Sequence, residues 1–232
     1  MGLKLGKKGW LKWLGFLLLI PSLVVNYFLY QQNQFLRPGI KVIEVLDGDT
    51  LLLENKVRVR LRHVDAPELD YCGGQEAKDE LIKLVKDKKV VLQEQIIDQQ
   101  GRPMALVYLD HLLVNQQMMK SGWVRYHSDK TDQTKVLKAE ADKAKQEQKG
   151  IFSSQCYQKE NLAKPGCLIK GNIDKNKYTD NKKYYFPGCA QYQFTIVEKD
   201  LGEDWFCSED EAVAAGFVKS KTCYDKVYQP AK

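Results

Sequence analysis

The hydrophobic and polar positions of the chain divide it into three regions. An apolar run without an internal charge extends from Trp13 to Tyr30. From Ile40 onward, short segments alternate between apolar and polar residues, which is the period of a strand with one buried face. Beyond Ser153 the composition shifts toward Lys, Asn, Tyr and Cys. The pattern predicts a membrane-length helix, a β-rich domain and a small C-terminal unit.

Three short strands are predicted at the start of the middle region. They are Lys41–Leu46, Thr50–Leu53 and Val57–Arg62. The residues between them, Asp47-Gly48-Asp49 and Glu54-Asn55-Lys56, have the composition of tight turns. Strands this short, joined as hairpins, favour a meander or a small barrel.

Helical spacing of apolar residues follows in three places. Gln75 to Lys86 carries a core-facing stripe, and Leu113, Met118 and Met119 have the same spacing, which places these methionines in the core. Thr134 to Lys149 is predicted as a surface helix, because acidic residues alternate with its lysines and its apolar edge is thin.

The N-terminal run has the length and the flanks of a membrane anchor. Its roughly 18 residues make a helix of about 27 Å, close to the thickness of the hydrocarbon layer. The basic residues before it should remain cytoplasmic, which sends the rest of the chain across the membrane. No A-x-A-like cleavage pattern accompanies the run, as a signal peptide requires. We therefore expect residues 1–36 to anchor a single-pass protein in a bacterial cytoplasmic membrane, its domains periplasmic or extracellular; a cleaved segment would make it secreted.

The net charge of +6 says little about a polyanionic ligand. Residues 1–36 hold four lysines and no acidic residue, whereas 37–152 hold 20 Lys or Arg against 19 Asp or Glu. Most of the excess therefore precedes the globular part. Any evidence for a nucleic-acid substrate must come from particular arginines.

Three sequence segments, in this order, carry a resemblance to a known family. They are Val45-Leu46-Asp47-Gly48-Asp49-Thr50, then Arg60-Leu61-Arg62-His63-Val64-Asp65-Ala66-Pro67-Glu68, then Gly101-Arg102 before a strand-like Met104–Tyr108. Together they resemble staphylococcal nuclease, and the resemblance extends over residues 39–152. It implies an α+β fold in which 37–152 form a five-stranded OB-type β-barrel with three helices.

The resemblance also implies a calcium site. Its ligands fall on Asp49, Asp65 and the backbone carbonyl of Ala66, with Asp47 as an outer acid. Calcium prefers oxygen ligands, and carboxylates from two turns can supply them while water fills the remaining positions. Ala66 stands where the family commonly has threonine, a change of little weight because the ligand is the main chain.

Catalytic roles are implied for three further residues. Arg60 and Arg102 correspond to the phosphate-binding arginines, and Glu68 to the carboxylate that orients or deprotonates the attacking water. A cation and two guanidinium groups would stabilise the charge that develops on the phosphate in the transition state. Gln99-Gln100 replaces the Lys-Tyr pair that often precedes Gly-Arg in the family, so base preference stays open.

The function implied is a calcium-dependent phosphodiesterase that cleaves DNA, RNA or both as an endonuclease and leaves 3′-phosphate ends. One alternative is a non-catalytic OB-type module that binds nucleic acid. Another is an envelope assembly protein. The set of acids and arginines favours the enzyme, since a pure binder has no need of it. We expect a monomer without an obligate protein partner.

The three histidines give no sign of a second metal site. His63, His111 and His127 lack the spacing of a ligand pair such as HExxH. His63 lies between Arg60 and Asp65 along the chain, but we assign it no catalytic role.

The C-terminal region is predicted to be a small unit stabilised by cysteines. Pro165-Gly166 marks a boundary between a linker, 153–166, and a module, 167–232. The module is similar to one appended to many bacterial nucleases of this family, and its last part distantly resembles the zinc module of DNA-methylphosphotriester repair proteins. Ser220 occupies one of the two cysteine positions of that zinc module, which puts a four-cysteine site in doubt.

Six cysteines in an exported chain without CxxC spacing favour disulfides over zinc. The sequence alone does not choose among the pairings. As hypotheses we favour Cys167–Cys207 and Cys189–Cys223 within the module, and Cys72–Cys156 between the barrel and the linker. Nucleic-acid docking, envelope binding and structural capping all remain open as roles for the module.

Overall fold

The protein's structure, a computed structural model, describes residues 19–29, 38–174 and 182–229. The strands are β1 Ile40–Val45, β2 Thr50–Leu53, β3 Arg58–Leu61, β4 Val64–Asp65, β5 Lys89–Ile97, β6 Pro103–Leu109, β7 Leu112–Leu113, β8 Arg125–Tyr126, β9 Tyr157–Gln158, β10 Ile169–Ile173, β11 Lys182–Tyr185, β12 Val197–Glu198, β13 Trp205–Phe206 and β14 Val218–Lys219. The α-helices are α1 Gly74–Val85, α2 Val114–Ser121, α3 Thr134–Gln146 and α4 Glu209–Ala214.

The first sheet closes on itself. Its strand order is β3-β2-β1-β5-β6-β7, and β3 also pairs with β6. The closing pair is parallel and joins Arg60 to Met104 and Leu61 to Ala105. Strands β1, β2, β3, β5 and β6 therefore form the predicted five-stranded barrel, with α1, α2 and α3 around it.

The alternation along each strand explains which residues fill the barrel. In β3, Val59 and Leu61 are buried while Arg58 faces solvent. The barrel core also takes Ala77, Leu81 and Val85 of the α1 stripe and the two methionines of α2, all fully buried, while Ile82 and Leu84 of the same stripe are partly buried against it. Burial of these side chains is the main force that closes the barrel.

A buried asparagine fixes α2 against the barrel. The Asn115 side-chain carbonyl accepts the backbone N–H of Val107 at 2.9 Å, and its amide donates to the carbonyl of Arg62 at 2.8 Å. Asn115 is fully buried, so these bonds satisfy polar groups that water cannot reach. The helix is thereby tied to β6 and to the residue that directly follows β3, the two strands that close the barrel.

The C-terminal module has its own sheet and core. Its sheet has the order β13-β10-β11-β14. Ile169, Phe186, Phe206 and Phe217 belong to a separate cluster of buried residues. Two disulfides, Cys167–Cys207 and Cys189–Cys223, cross-link the module, and Cys72–Cys156 links α1's leading loop to the segment after α3. These are the three pairings favoured from the sequence.

Part of the predicted linker, 153–166, has regular structure. Its Tyr157–Gln158 forms β9, which pairs antiparallel with β12 of the module. The backbone N–H of Lys199 also donates to the carbonyl of Cys156 at 2.8 Å. This ladder could not be predicted from the hydrophobic pattern, because a strand of two residues has no readable period. The segment is thus part of the junction between barrel and module.

Residues 19–29 are helical. The predicted span runs from Trp13 to Tyr30, and its residues 13–18 and 30 lie outside the described residues. Within the part of the chain that the structure describes, no helix has both the length and the apolar character needed to cross a membrane.

Candidate functional site

Arg60 lies between two of the predicted calcium ligands. Its Nη2 atom is 2.8 Å from Oδ2 of Asp49 and 2.7 Å from Oδ1 of Asp65. Asp49 follows the first turn, Arg60 is on β3, and Asp65 ends β4. The hairpin register places Thr50 opposite Arg60, which brings the first two residues together. Three residues distant along the chain therefore meet at one point.

Asp49 is held in place by four hydrogen bonds besides the ion pair. Its Oδ1 accepts the hydroxyl of Thr50 at 2.8 Å, and its Oδ2 accepts the backbone N–H of Ala66 at 3.0 Å. Its own N–H donates to Asp47, 2.9 Å away, and its carbonyl accepts the N–H of Leu61 at 2.8 Å. Asp47, predicted as an outer acid, thus organises the turn rather than meeting Arg60.

Gly48 lets this turn approach helix α1. A Cβ atom at Gly48 would lie 2.5 Å from the Cβ of Ala77 and 2.7 Å from the Cβ of Ala66. No other residue fits without displacing the turn or the helix. The contact fixes Asp49 relative to α1 and to the Ala66 backbone.

Burial makes Asp49 an unusual carboxylate. It is 2% exposed, and this burial raises its pKa from 3.8 to about 7, although Arg60 opposes the shift and Asp47 adds to it. A carboxylate in this position needs positive charge nearby to ionise. Arg60 supplies part of it.

Arg102 faces the same cleft as Arg60 and Asp65. The cleft has a volume of about 590 Å³, and the exposed aliphatic residues Ile96 and Ile97 also line it. The Arg102 side chain is 51% exposed. Both predicted phosphate-binding arginines are therefore accessible from one opening.

Asp98 orients Arg102, a role that the sequence analysis missed. Its Oδ2 lies 2.7 Å from Nε of Arg102, and its Oδ1 accepts the backbone N–H groups of Gln100 and Arg102. These bonds lower the pKa of Asp98, the one from the Arg102 backbone most. The spacing Asp98-x-x-Gly101 is typical of such a turn and was the available signal.

Glu68 stands apart from this group. It is exposed and does not line the cleft of Arg60 and Arg102. Its carbonyl accepts the N–H of Tyr71 at 2.9 Å, which shapes the loop before Cys72. The structure thus leaves its predicted catalytic role untested.

Two other polar residues near the cleft are structural. His63 is fully buried, and its ring nitrogens lie 2.8 Å from Oγ1 of Thr131 and 3.2 Å from the carbonyl of His127. Burial lowers its pKa. Arg62 forms a bidentate ion pair with Asp129, at 2.6 and 2.8 Å. Both interactions hold the 127–131 loop at the edge of the cleft, and neither was predicted from the sequence.

The donor atoms around Arg60 fit a hard cation. The carboxylates of Asp49 and Asp65 both lie within 2.8 Å of Nη2 of Arg60, so both already point at one positive charge. No group of three or more His, Cys, Asp or Glu side chains suited to a metal occurs in the described ranges. A cation here would therefore need the Ala66 carbonyl and water as well. Calcium accepts such mixed oxygen sets.

The chain is similar to known proteins over about half of its length. Residues 58–154 match the family model described as staphylococcal nuclease homologue. An uncharacterized endonuclease of Escherichia coli O157:H7 is 36% identical over 119 residues, which cover 49% of this chain and 76% of the relative. One from Haemophilus influenzae is 32% identical over 109 residues, 45% of this chain and 61% of the relative.

Plant proteins are also similar to part of this chain. A probable staphylococcal-like nuclease of Oryza sativa subsp. japonica is 32% identical over 116 residues, 50% of this chain. The chain spans 30% of the length of that relative, and 38% of another from the same plant. The bacterial match, by contrast, extends over 76% of its relative. The chain therefore belongs to the family of staphylococcal nuclease homologues.

Proposed function

We propose that this protein is a calcium-dependent phosphodiesterase that cleaves DNA, RNA or both internally and leaves 3′-phosphate ends. One observation carries the proposal: Arg60 meets Asp49 and Asp65 within hydrogen-bonding distance, in the cleft that also holds Arg102. A non-catalytic barrel has no use for a buried carboxylate with a raised pKa beside two accessible guanidinium groups.

The cation site would be formed by Asp49, Asp65 and the Ala66 carbonyl. A bound calcium ion would supply positive charge to the non-bridging oxygens of the scissile phosphate. Asp49 is the rigid member of the set, since it is buried and fixed by the Thr50 hydroxyl and the Ala66 N–H. Asp65 is partly exposed and supplies the accessible carboxylate.

The two arginines divide the work on the phosphate. Arg60 is anchored by carboxylates and has little freedom, so it offers a fixed positive charge. Arg102 uses Nε for Asp98 and keeps its terminal nitrogens for a substrate oxygen pair. Fixed charges of this kind stabilise a transition state more than a ground state, because no reorganisation is needed when the charge develops.

Glu68 is the proposed general base that orients or deprotonates the attacking water. Its exposure leaves the carboxylate free to hydrogen bond to a water molecule on the solvent side. General-base assistance requires the carboxylate to come within hydrogen-bonding reach of that water once substrate is bound. Its loop is anchored at one end by Cys72, which limits how far it can move.

The decisive experiment measures cleavage by the full chain of double-stranded DNA, single-stranded DNA and RNA, in calcium and in chelator. Arg60→Ala and Arg102→Ala are compared with Arg58→Ala, whose side chain lies on the outer face of the same strand as Arg60. We expect loss of cleavage in chelator and in the first two variants only. Cleavage that persists in chelator would refute the proposed mechanism, and binding without cleavage would favour an OB-type binding module.

We also propose that the catalytic domain acts outside the cytoplasm, attached to the bacterial membrane by the predicted N-terminal anchor. The pairing of all six cysteines supports an oxidising compartment. Labelling of intact cells with a membrane-impermeant reagent tests the location. An unlabelled chain that is labelled after lysis would contradict it.

A further inference from the structure

The junction between barrel and module contains a buried ion pair. Nε and Nη2 of Arg125, on β8, lie 2.6 and 2.9 Å from the two carboxylate oxygens of Asp200. Nη2 is also 2.9 Å from Glu198, and the guanidinium carbon lies 5.7 Å from the centre of the Phe152 ring. The Asp200 side chain is 1% exposed. The module thus binds one barrel residue with two acids.

Burial gives this pair consequences that a surface ion pair lacks. Burial raises the pKa of Asp200, and Arg125 opposes that shift. An acid left in this position without its partner has neither water nor a cation to stabilise it. The geometry of Arg125 is therefore tightly constrained by the module.

Arg125 is directly opposite a predicted calcium ligand. In the antiparallel pair of β4 and β8, Asp65 is the partner of Arg125, and Val64 is the partner of Tyr126. The N–H of His127 extends the ladder to the carbonyl of His63 at 2.7 Å. Strand β4, which carries Asp65, is thus paired with β8, and β8 is bound to the module through Arg125.

The module also contacts the loop that follows Asp65. Gly202 packs against the ring of Tyr71, since a Cβ atom there would lie 2.7 Å from Cζ of Tyr71. Cys72, the next residue, is bonded to Cys156, whose carbonyl accepts the N–H of Lys199. Strand β4 and its following loop are therefore restrained from the same side.

The pair has an electrostatic effect as well. Side chains directly opposite each other in an antiparallel pair begin on the same face of the sheet. Arg125 and Asp65 are such a pair, so a guanidinium released from Asp200 would have the Asp65 carboxylate within reach. Asp200 and Glu198 bind the Arg125 guanidinium and so keep it from forming an ion pair with Asp65, a proposed cation ligand.

We propose that Arg125 is a positioning residue for the cation site and that the C-terminal module, through Asp200 and Glu198, sets the position and availability of Asp65. This inference rests on the proposed function. The module is then part of the catalytic apparatus, although it contributes no group that touches the substrate.

The test measures calcium affinity of the full chain by calorimetry with calcium alone, and the calcium dependence of cleavage. Asp200→Asn and the milder Glu198→Gln weaken the hold on Arg125. We expect the calcium dissociation constant to rise about tenfold for Asp200→Asn, as for other residues that orient metal ligands, and less for Glu198→Gln. Turnover at saturating calcium should return toward that of the parent.

Glu209→Gln is the matched control. Glu209 is also an acid of the module, with a side chain that is 19% exposed, and its carboxylate bonds to the Tyr184 hydroxyl, to Lys219 and to the N–H of Tyr228. It should leave calcium affinity unchanged. A shift in Glu209→Gln equal to that in Asp200→Asn would indicate general loosening and overturn the inference.

The remaining outcomes separate the two proposals. A parent chain that binds calcium and cleaves, with unchanged affinity in Asp200→Asn and Glu198→Gln, overturns the positioning role alone. A parent chain that neither binds calcium nor cleaves overturns the proposed function and this inference with it. Far-ultraviolet circular dichroism establishes that each variant is folded at the assay temperature.

Discussion

Asp98 binds Arg102 through Nε, with 2.7 Å between that nitrogen and Oδ2. The terminal nitrogens of the guanidinium are left for the cleft. Only a planar side chain with several donors can bind a carboxylate on one edge and a phosphate on the other. The pair therefore explains why an arginine, and no other basic residue, suits position 102.

Replacing Arg102 with lysine should lower turnover on the order of 100-fold, even though the charge is retained. A lysine has one nitrogen, which cannot serve Asp98 and a substrate oxygen pair at once. Steady-state kinetics on single-stranded DNA measure the effect. Arg58→Lys, on the solvent face of β3, should match the parent. Equal activity of both variants would contradict the proposed role of Arg102.

Glu68→Gln should lower turnover without a change in stability. The side chain is exposed, so the amide costs nothing in packing, while it cannot accept a proton from water. A decrease of about 100-fold or more is expected. The control is Asp70→Asn, an exposed acid two residues further along the same loop. If both variants cleave like the parent, Glu68 is not the base.

Calcium should stabilise the folded protein through Asp49. Ligand at about 100 times its dissociation constant adds about 2.7 kcal/mol to the free energy of unfolding by mass action. Urea unfolding in calcium and in chelator measures this increment. It should vanish in Asp49→Asn, which in chelator should be less stable than the parent, because the amide nitrogen replaces one of the two buried oxygens that accept from Thr50, Ala66 and Arg60.

The matched variant for that measurement is Asp142→Asn, an exposed residue of α3. It should keep the full calcium increment. An increment that survives in Asp49→Asn would place the cation elsewhere.

Acid should remove the contribution of the Arg62–Asp129 pair. Its hydrogen bond with Arg62 lowers the pKa of Asp129 from 3.8 to about 2. Because the pKa of Asp129 is lower in the folded state than in the unfolded state, its ionisation stabilises the fold at any pH above the unfolded-state pKa. This stabilisation is lost as the pH falls toward the folded-state pKa of about 2. The contribution is on the order of 2 kcal/mol at its maximum.

Urea unfolding of the parent and of Asp129→Asn, from about pH 5 down to about pH 2, isolates this group. The parent should be more stable at the upper end, and the difference should shrink as the pH falls. A difference independent of pH would show that packing, and not ionisation, links Asp129 to the barrel.

Local patterns predicted individual strands and helices, and the resemblance implied the five-stranded barrel that they form. Alternation in β1 to β3 and the apolar stripe of α1 follow from which side of each element is buried. The meeting of Asp49, Arg60 and Asp65 was expected from the resemblance, and the hairpin register of β2 and β3 realises it physically.

Contacts between distant segments were not predictable in the same way. Arg125 and Asp200 are separated by 75 positions, and neither belongs to a pattern that names the other. The pairing of β9 with β12 was equally unpredictable from the sequence, since a strand of two residues cannot show a hydrophobic period. Asp98 is different: its turn spacing was visible, but its ion pair with Arg102 depended on the hairpin geometry.

The parallel pairing of Arg60 with Met104 has one more consequence. The guanidinium groups of Arg60 and Arg102 come together only when β3 pairs with β6 and closes the barrel. This pairing joins segments that are far apart in the sequence. A nascent or partly unfolded chain, with that seam still open, holds both groups on separate pieces of backbone. In the proposed mechanism the nuclease site is therefore complete only after β3 and β6 have paired, and a chain that has not folded lacks it.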